Sequence, residues 1–479
     1  MKFSDLQLTT PYLALDTLFY DRVEPTPLEK PFLVAASQDA AKLLGIDEDV
    51  TMDEALVKIV NAEMKLKGSQ SFAMCYAGHQ FGCFVPRLGD GRAVNLGKVN
   101  GQNLQLKGAG TTLYSRQGDG RAVLRSSIRE FLMSEAMHGL GISTSRALAL
   151  IGSDTDVPRE RWEKGAIVLR LCPTWVRFGT FEYFSAAEET QKLQQLADYV
   201  IDESYPELKN EEDKYLKMYE KAVQKSAKTV AKWQAYGFNH GVLNTDNMAI
   251  DGSTIDYGPF AFLDIYDPNY VCNRSDTQGR YSFRGQPGIV HWNLSRLALA
   301  LTPLINHDAA LEVLEDTFGD VYETEYTRLM YKRMGLQTKE EKDLSLLKLM
   351  LRSLEQSVID YNVFFRKLSV YQGKRSEILE LAVYKEYLER WLDTYDARVK
   401  KESFSDEQRH KNMLHVNPKY ILKNHILQEA VEKAQKNDFS MVNDLLRVAL
   451  APFDEHPELE YLAKPTPQSA KNLKLSCSS

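Results

Sequence analysis

The chain has 479 residues, of which 43% are hydrophobic and 26% charged, and its formal net charge is −7. This length supplies core for two or three domains, and the acidic balance argues against a nucleic-acid-binding surface. No apolar run approaches the roughly 20 residues of a membrane-spanning helix. Residues 1–20 lack the pattern of a secretory or transit peptide, and the five cysteines form no CxxC pair. We therefore expect a globular protein of the reducing cytoplasm, with no membrane or nucleic-acid partner.

Residues 1–65 combine short apolar runs with several prolines and contain no recognisable chemistry. The run at 39–44, followed by Gly45, predicts a helix that ends in a glycine cap. Residues 47–64 predict a second amphipathic helix. We interpret this stretch as an N-terminal extension.

Residues 71–121 are rich in glycine, with short β-like runs between the glycines. The tetrad Gly-Asp-Gly-Arg occurs twice, at 89–92 and 118–121. Its glycines permit left-handed backbone, so that successive N–H groups point into one concavity, and its arginine adds a bidentate phosphate donor. A single copy is more simply an Asp-Gly hairpin turn. Two copies flanking Lys107 favour a phosphate site, although neither GxGxxG nor GxxxxGK[ST] is present.

Lys107 ends an alternating β-like run, and residues 122–139 predict a helix that contains Glu130. A lysine on a strand paired with a glutamate on the next helix is the ion pair of protein kinases. The alternative is that both are solvated surface side chains. Glu135 competes for the pairing.

Two arginines follow in the next strand-like segment. Arg170 lies in an apolar run, where a charge is costly unless it is paired, and Arg177 follows between aromatic residues. Together they could neutralise a polyphosphate. For Arg177 the alternative is a surface cation stacked on an aromatic neighbour.

Residues 239–260 contain the densest set of candidate catalytic residues. Asp246 and Asn247 are adjacent, and the segment 248–255, with an Asp-Gly turn, predicts a short hairpin that returns the chain to Asp256. Carboxylate and amide oxygens suit Mg²⁺ or Mn²⁺. The order matches a kinase catalytic loop followed by its metal-binding aspartate, except that kinases place the asparagine five residues after the aspartate. The alternative is an acidic hairpin with a solvated turn.

From Trp292 to about Leu450 the chain is mainly helical and charged, and a cysteine-bearing tail follows. Cys272 and Cys477 are redox candidates, because a disulfide between them would hold the tail near Asp256. Disulfides are uncommon in the cytoplasm, which favours reduced thiols.

Several motifs together resemble the selenoprotein O (SelO) family: Tyr-Ala-Gly-His-Gln-Phe-Gly at 76–82, both tetrads, Asn-Thr-Asp-Asn-Met at 244–248 and Asp-Tyr-Gly-Pro-Phe at 256–260. The resemblance covers nearly the whole chain. It implies an α+β, protein-kinase-like fold with an N-lobe at 66–185, a C-lobe at 186–300 and a helical region at 301–479. It also implies transfer of AMP from ATP to Ser, Thr or Tyr hydroxyls of proteins, and in some members transfer of UMP from UTP.

The resemblance also implies residue roles. Asp246 would accept the hydroxyl proton, and Asn247 and Asp256 would hold Mg²⁺ or Mn²⁺. Glu130 would pair with Lys107. The implied nucleotide contacts are Gly89, Gly91, Arg92, Lys107, Asp119, Gly120, Arg170, Arg177 and Asp256. Two other functions remain open from the residues alone: a protein or small-molecule kinase, and a non-catalytic nucleotide-binding redox scaffold.

Overall fold

The computed structural model describes residues 1–467 and Ala470, and it is a mixed α+β structure with antiparallel sheets. The strands are β1 Tyr20–Arg22, β2 Phe32–Ala36, β3 Phe72–Met74, β4 Gly78–Gln80, β5 Cys83–Val85, β6 Ala93–Val99, β7 Gln102–Lys107, β8 Ala122–Val123, β9 Arg146–Pro158, β10 Trp162–Cys172, β11 Phe238–Asn239 and β12 Ala261–Phe262.

The helices carry most of the carboxy-terminal half. They are α1 Gln38–Lys42, α2 Leu56–Val60, α3 Leu124–Gly139, α4 Phe178–Ala186, α5 Thr190–Ser204, α6 Lys214–Tyr236, α7 Gln286–Ala300, α8 His307–Arg333, α9 Asp343–Ser357, α10 Tyr361–Leu368, α11 Ser376–Leu379, α12 Lys385–Val399, α13 Asp406–Leu414, α14 Asn424–Ala434 and α15 Ser440–Leu450. None of these helices is long and apolar enough to cross a membrane, in a search limited to the described residues.

The main sheet has the strand order β1-β3-β6-β7-β10-β9-β2, and β8 pairs with β10. Successive side chains of β7 point to opposite faces of the sheet. Leu104 and Leu106 enter a core formed with the amino-terminal segment, α1 and α2. Gln105 and Lys107 point to the opposite face, where α3 packs. The stretch 1–65 itself supplies β1 and β2 to this sheet.

The helix expected over residues 47–64 is largely wrong. The structure has a short 3-10 turn at Val50–Met52 and only α2 as a helix. Asp49 accepts a hydrogen bond from Thr51 N–H (3.0 Å), and Asp53 accepts one from Ala55 N–H (2.9 Å). Such local bonds compete with the helical ladder, which explains the interruption.

The stretch 239–260 lies between β11 and β12, directly after α6. Helix α6 ends at Gly237, whose φ of 76° gives the left-handed cap that stops a helix. Met248 and Thr254 form an antiparallel bridge around a turn in which Gly252 has a φ of 75°. The hairpin predicted between Asn247 and Asp256 is therefore present.

Helices α8 to α13 share a separate hydrophobic core, which Arg333 fastens to the end of α6. The Arg333 side chain is fully buried, and its guanidinium donates to the carbonyl of Ala235 and to Asn417 Oδ1 (2.9 Å). Because the stretch 239–260 begins four residues after Ala235, this helical region supports the position of that stretch.

Candidate active site

Lys107 and Glu130 form the centre of a buried ion cluster. Lys107 is the last residue of β7, and its Nζ lies 2.7 Å from Glu130 Oε2 on α3 and 3.2 Å from Asp256 Oδ1. Both Lys107 and Glu130 are at least nine-tenths buried. Glu135, the competing glutamate, instead pairs with Arg146 at 2.6 Å. Strand β7, helix α3 and the segment that follows the 248–255 hairpin therefore meet at one point.

Asp256 draws two further cations into the same cluster. Arg170 Nη1 lies 2.6 Å from Asp256 Oδ1, and Arg177 Nη1 lies 2.9 Å from Asp256 Oδ2. Arg170 also contacts Glu130 at 2.8 Å. Although burial alone would raise it, Lys107, Arg177 and Arg170 hold the pKa of Asp256 well below its usual range. Asp256 therefore stays ionised, and three cations surround it.

The two arginines are almost fully buried, so the surface alternative for Arg177 is wrong. The Arg177 guanidinium does lie 4.5 Å from an aromatic ring centroid, but the ring is that of Tyr76, which is distant in the sequence. Arg170 Nε, Arg177 Nε and Arg177 Nη2 are buried donors with no hydrogen-bond partner among the described residues. Unsatisfied guanidinium donors in a buried site are suited to the oxygens of an anionic ligand.

Asp246 is the second buried carboxylate of the site. It is 7% exposed, and burial raises its pKa to about 6. Its Oδ2 accepts a hydrogen bond of 3.2 Å from the Gln80 amide, and its Oδ1 has no partner within the described part of the chain. The Asp246 carboxylate therefore has acceptor capacity that the protein does not use.

The hairpin formed by β4 and β5 holds Asp246 in place, a role that the sequence did not reveal. His79 N–H donates to Thr245 Oγ1 (2.6 Å), and the His79 ring contacts Glu182 at 2.5 Å. Glu182 also accepts from the Thr245 hydroxyl. Thr245 directly precedes Asp246, so this network of three side chains sets the position of the carboxylate. The motif at 76–82 is apparent in the sequence, but its contact with Thr245 is not, because His79 and Thr245 are 166 residues apart.

Gly78 lies against Asp246 so closely that a side chain would not fit. A Cβ atom at residue 78 would stand 2.6 Å from Asp246 Oδ1, whereas one at Gly288 would meet no atom within 4 Å. We expect Gly78→Ala to displace the carboxylate and lower kcat by at least about tenfold, since small misplacements of catalytic groups are costly. Steady-state kinetics should show no such loss for Gly288→Ala. Equal activity in the two variants would contradict this packing argument.

Both glycine-rich turns contact the loop 108–114 that follows Lys107. Gly110 N–H donates to Gly120 O (3.1 Å), and a Cβ at Gly91 would stand 2.8 Å from Tyr114 O. Gly89 and Gly120 both have positive φ, of 100° and 67°. These positions therefore require glycine for conformation or close approach, as a backbone cradle does.

The polar residues of the tetrads differ in their contacts. Arg92 is exposed, and its charge acts on Lys107, which places the two cations near each other. Asp119 pairs with Arg159 at 2.7 Å and accepts from Arg121 N–H. The carboxylate of Asp119 is thus already occupied by protein groups.

Asn247 and Asp256 are compatible with a metal ion only when an anionic ligand is also bound. Asn247 Nδ2 donates to Val242 O (3.0 Å), which leaves its carbonyl oxygen to act as a hard ligand. Asp256 already contacts three cations, so a divalent ion would need the negative charge of a polyphosphate to offset their repulsion. No group of three or more His, Cys, Asp or Glu side chains with metal-binding geometry occurs within residues 1–467 and Ala470. The donor set therefore fits a nucleotide-bound Mg²⁺ or Mn²⁺.

Of the two redox candidates, Cys272 is buried at 4% exposure, with its Sγ 3.6 Å from Asn239 O. Cys477 lies outside the described residues. The disulfide hypothesis stays a prediction.

The site combines a buried lysine–glutamate pair, unsatisfied arginine donors and a buried carboxylate with a raised pKa. These features are typical of an enzyme that acts on a phosphorylated substrate. Comparison with known families gives the particular class. The model of the family described as "Protein adenylyltransferase SelO" matches residues 2–449. The chain belongs to this family, and it is a nucleotidyltransferase of the protein adenylyltransferase type.

Relatives match along the full length of the chain. The chain is 44% identical to a "Protein nucleotidyltransferase YdiU" of Thioalkalivibrio sulfidiphilus, with 100% of both chains covered. It is 44% identical to a protein of the same name from Pseudomonas fluorescens and 45% identical to one from Pseudomonas aeruginosa, in each case over 99% of both chains.

Proposed function

We propose that the protein transfers AMP from ATP to Ser, Thr or Tyr hydroxyls of other proteins and releases pyrophosphate. One observation carries the proposal: Arg177 Nη1 lies 2.9 Å from both the backbone oxygen of Asp246 and Oδ2 of Asp256. Through the backbone of Asp246, this contact links the residue that we propose as the base to the cluster of cations. A site with both features can activate a hydroxyl and stabilise a polyphosphate leaving group.

The arrangement supports a protein-kinase-like fold. A strand lysine pairs with a glutamate of the following helix, and a catalytic stretch with a metal-binding aspartate comes later in the chain. We assign residues 66–185 to the N-lobe and 186–300 to the C-lobe, with 1–65 as an extension and 301–479 as a helical region.

In the proposed reaction the acceptor hydroxyl oxygen attacks the α-phosphorus of ATP. The bond between that phosphorus and the bridging oxygen of the β-phosphate breaks, and pyrophosphate leaves with the bonding electrons. The hydroxyl proton passes to Asp246. Gly78 covers Oδ1, so Oδ2, which has a single hydrogen bond from Gln80, is the accepting atom.

The charge that develops on pyrophosphate faces Lys107, Arg170 and Arg177, whose buried donors are already oriented. Arg92 adds a fourth cation from the first glycine-rich turn, and the glycine turns provide backbone N–H groups. Mg²⁺ or Mn²⁺ held by Asn247 and Asp256 would supply Lewis-acid charge when bound. UTP is a second donor in this proposal, with UMP transferred in the same way.

Labelling ATP at one phosphate at a time tests the proposal directly, because it shows which phosphate reaches the acceptor protein. We would incubate the protein, Mg²⁺ or Mn²⁺ and a mixture of acceptor proteins with ATP labelled at the α- or the γ-phosphate, and with α-labelled UTP. We expect covalent label from the α-position alone, with none in Asp246→Asn although that variant still binds ATP. Label from γ would make the protein a kinase. ATP binding without covalent label from either position would favour a nucleotide-binding scaffold.

A further inference from the structure

The tip of the β4–β5 hairpin breaks a rule of local conformation. Phe81 has a φ of 51° and Gly82 a φ of 85°, and Gln80 pairs with Cys83 across them. A two-residue turn with positive φ at both positions normally takes Asn-Gly, and a bulky residue there is strained. Phe81 is also 40% exposed, so burial of its ring does not explain the choice. Strained residues of this kind occur at functional sites.

This hairpin tip is directly continuous with the candidate base. Gln80, the residue before Phe81, donates to Asp246 Oδ2. Phe81 N–H donates to Tyr281 Oη (2.9 Å) and lies 3.3 Å from Asn244 Oδ1, two residues before Asp246. The backbone of Phe81 is therefore fixed close to the residue proposed as the base, and its ring lies 5.1 Å from the Tyr281 ring.

Around this ring lies a group of aromatic and cationic side chains, here called the Phe81 surface; it consists of Phe81, Phe84, Arg280, Trp292 and Arg296. Phe84 is also 40% exposed. The Arg280 and Arg296 guanidinium groups lie 4.7 and 5.2 Å from the Trp292 ring centroid. Neither forms an ion pair with any residue in the described part of the chain, and Arg280 Nε is buried without a hydrogen-bond partner there.

Aromatic rings and arginine are the side chains that dominate protein-binding surfaces. Among residues 1–467 and Ala470 the two arginines have no acidic partner, although the full sequence carries a net charge of −7. A ligand with an acidic group would complement them, and an apolar side chain would cover the exposed phenylalanine rings.

We propose that the Phe81 surface docks the acceptor polypeptide, and that it selects a hydroxyl flanked by an acidic and an apolar side chain. This inference rests on the proposed function, because it assigns the substrate class of the same site. Aromatic rings with arginine also stack nucleic-acid bases. The position beside the base Asp246 and the acidic net charge favour a polypeptide.

Binding and transfer should be measured separately on one probe set. The probes are immobilised 13-residue peptides with a central Ser, Thr or Tyr in an Ala/Gly background, whose flanks carry Asp or Lys combined with Leu or Ala. We expect the peptides whose flanks combine Asp with Leu to retain the full-length protein best. Phe81→Asn and Arg280→Gln should each weaken that retention at least tenfold, with ATP affinity unchanged.

The Asn variant is informative because asparagine suits the left-handed position. Thermal melting should show Phe81→Asn at least as stable as the wild type, so that lost binding is not lost folding. Tyr384→Asn, which removes an exposed ring far along the chain, is the matched control and should bind peptides normally. Phe84→Ser provides a second variant of the same surface and should also weaken binding.

Three outcomes would overturn the docking proposal. The first is binding that does not depend on the flanks, and the second is wild-type binding by the Phe81→Asn and Arg280→Gln variants. The third is release of the protein from the peptides by a fluorescent single-stranded RNA oligomer. Label transfer from α-labelled ATP to the same peptides reports on the proposed function. Transfer without flank preference would remove the docking inference alone. Flank-selective binding without transfer would remove the proposed reaction alone.

Discussion

Replacing Asp256 with asparagine should abolish nucleotide transfer and also destabilise the protein. Asp256 and Glu130 are the carboxylates in contact with Lys107, Arg170 and Arg177 in this buried cluster. Loss of one carboxylate charge leaves cations buried without compensation, which costs about 3–5 kcal/mol of unfolding free energy. Removal of a metal ligand costs several kcal/mol of transition-state stabilisation, or about a thousandfold in rate.

A polyanion should partly reverse the loss of stability in Asp256→Asn. The freed cations resemble a vacant polyphosphate site, so inorganic tripolyphosphate should raise the melting temperature of the variant more than that of the wild type. The matched control is Glu135→Gln on α3, which removes a fully buried carboxylate that pairs with Arg146 outside this cluster. It should lose stability without any gain in the response to tripolyphosphate. If Asp256→Asn transferred the nucleotide at the wild-type rate, the role given to Asp256 would be contradicted.

The depressed pKa of Asp256 gives this cluster a definite pH response. A carboxylate with a lowered pKa contributes stability that is present above its ordinary value of 3.8 and is lost as the pH falls toward the lower, folded-state value. Asp256→Asn should therefore lose part of the wild-type sensitivity to acid. Denaturant titrations at pH 3 to 5 would measure this difference.

Local patterns in the sequence predicted much of the fold around the site. Local signals predicted the strand ending at Lys107, the helix around Glu130 and the hairpin before Asp256. Their turn residues and hydrophobic periodicities involve only residues that are close in the sequence. The failed helix at 47–64 had the right periodicity. Its aspartates form local backbone hydrogen bonds, which periodicity does not report.

Long-range contacts account for what the sequence did not predict. From the sequence, Arg177 could be either a phosphate contact or a surface cation, and only the fold shows it buried between Tyr76 and Asp256. The contact between Gln80 and Asp246 spans 166 residues, and that between His79 and Glu182 spans 103. The Phe81-Gly82 turn was equally hidden, because a phenylalanine is not a signal for that type of turn.

The raised pKa of Asp246 predicts the acid limb of the activity. Only the ionised carboxylate can accept the hydroxyl proton, so kcat/KM for the acceptor should fall as the pH drops through about 6. The Gln80 hydrogen bond favours the ionised form and lowers this pKa. Gln80→Leu should therefore move the limb to higher pH in profiles recorded at saturating nucleotide. A limb that does not move would belong to another group, such as the nucleotide itself.

The raised pKa of Asp246 also means that its ionised form, which the proposed reaction requires, destabilises the folded protein. Because the folded-state pKa lies above the ordinary value of 3.8, the native protein binds more protons than the unfolded chain between roughly pH 4 and 6. Stability therefore falls as the pH rises through that window, and the ionised carboxylate remains a cost at neutral pH. Asp246→Asn removes the charge while keeping the shape of the side chain.

We expect Asp246→Asn to raise the free energy of unfolding at pH 7 by about 1–3 kcal/mol and to lower kcat by about 10²–10⁴-fold. Denaturant melts at pH 4 and pH 7 would check the first effect, since the gain should nearly vanish at pH 4, where Asp246 is protonated. Transfer assays with α-labelled ATP would check the second. A variant that lost stability equally at both pH values would show that the carboxylate is held for structure, and one that kept its activity would exclude Asp246 as the base.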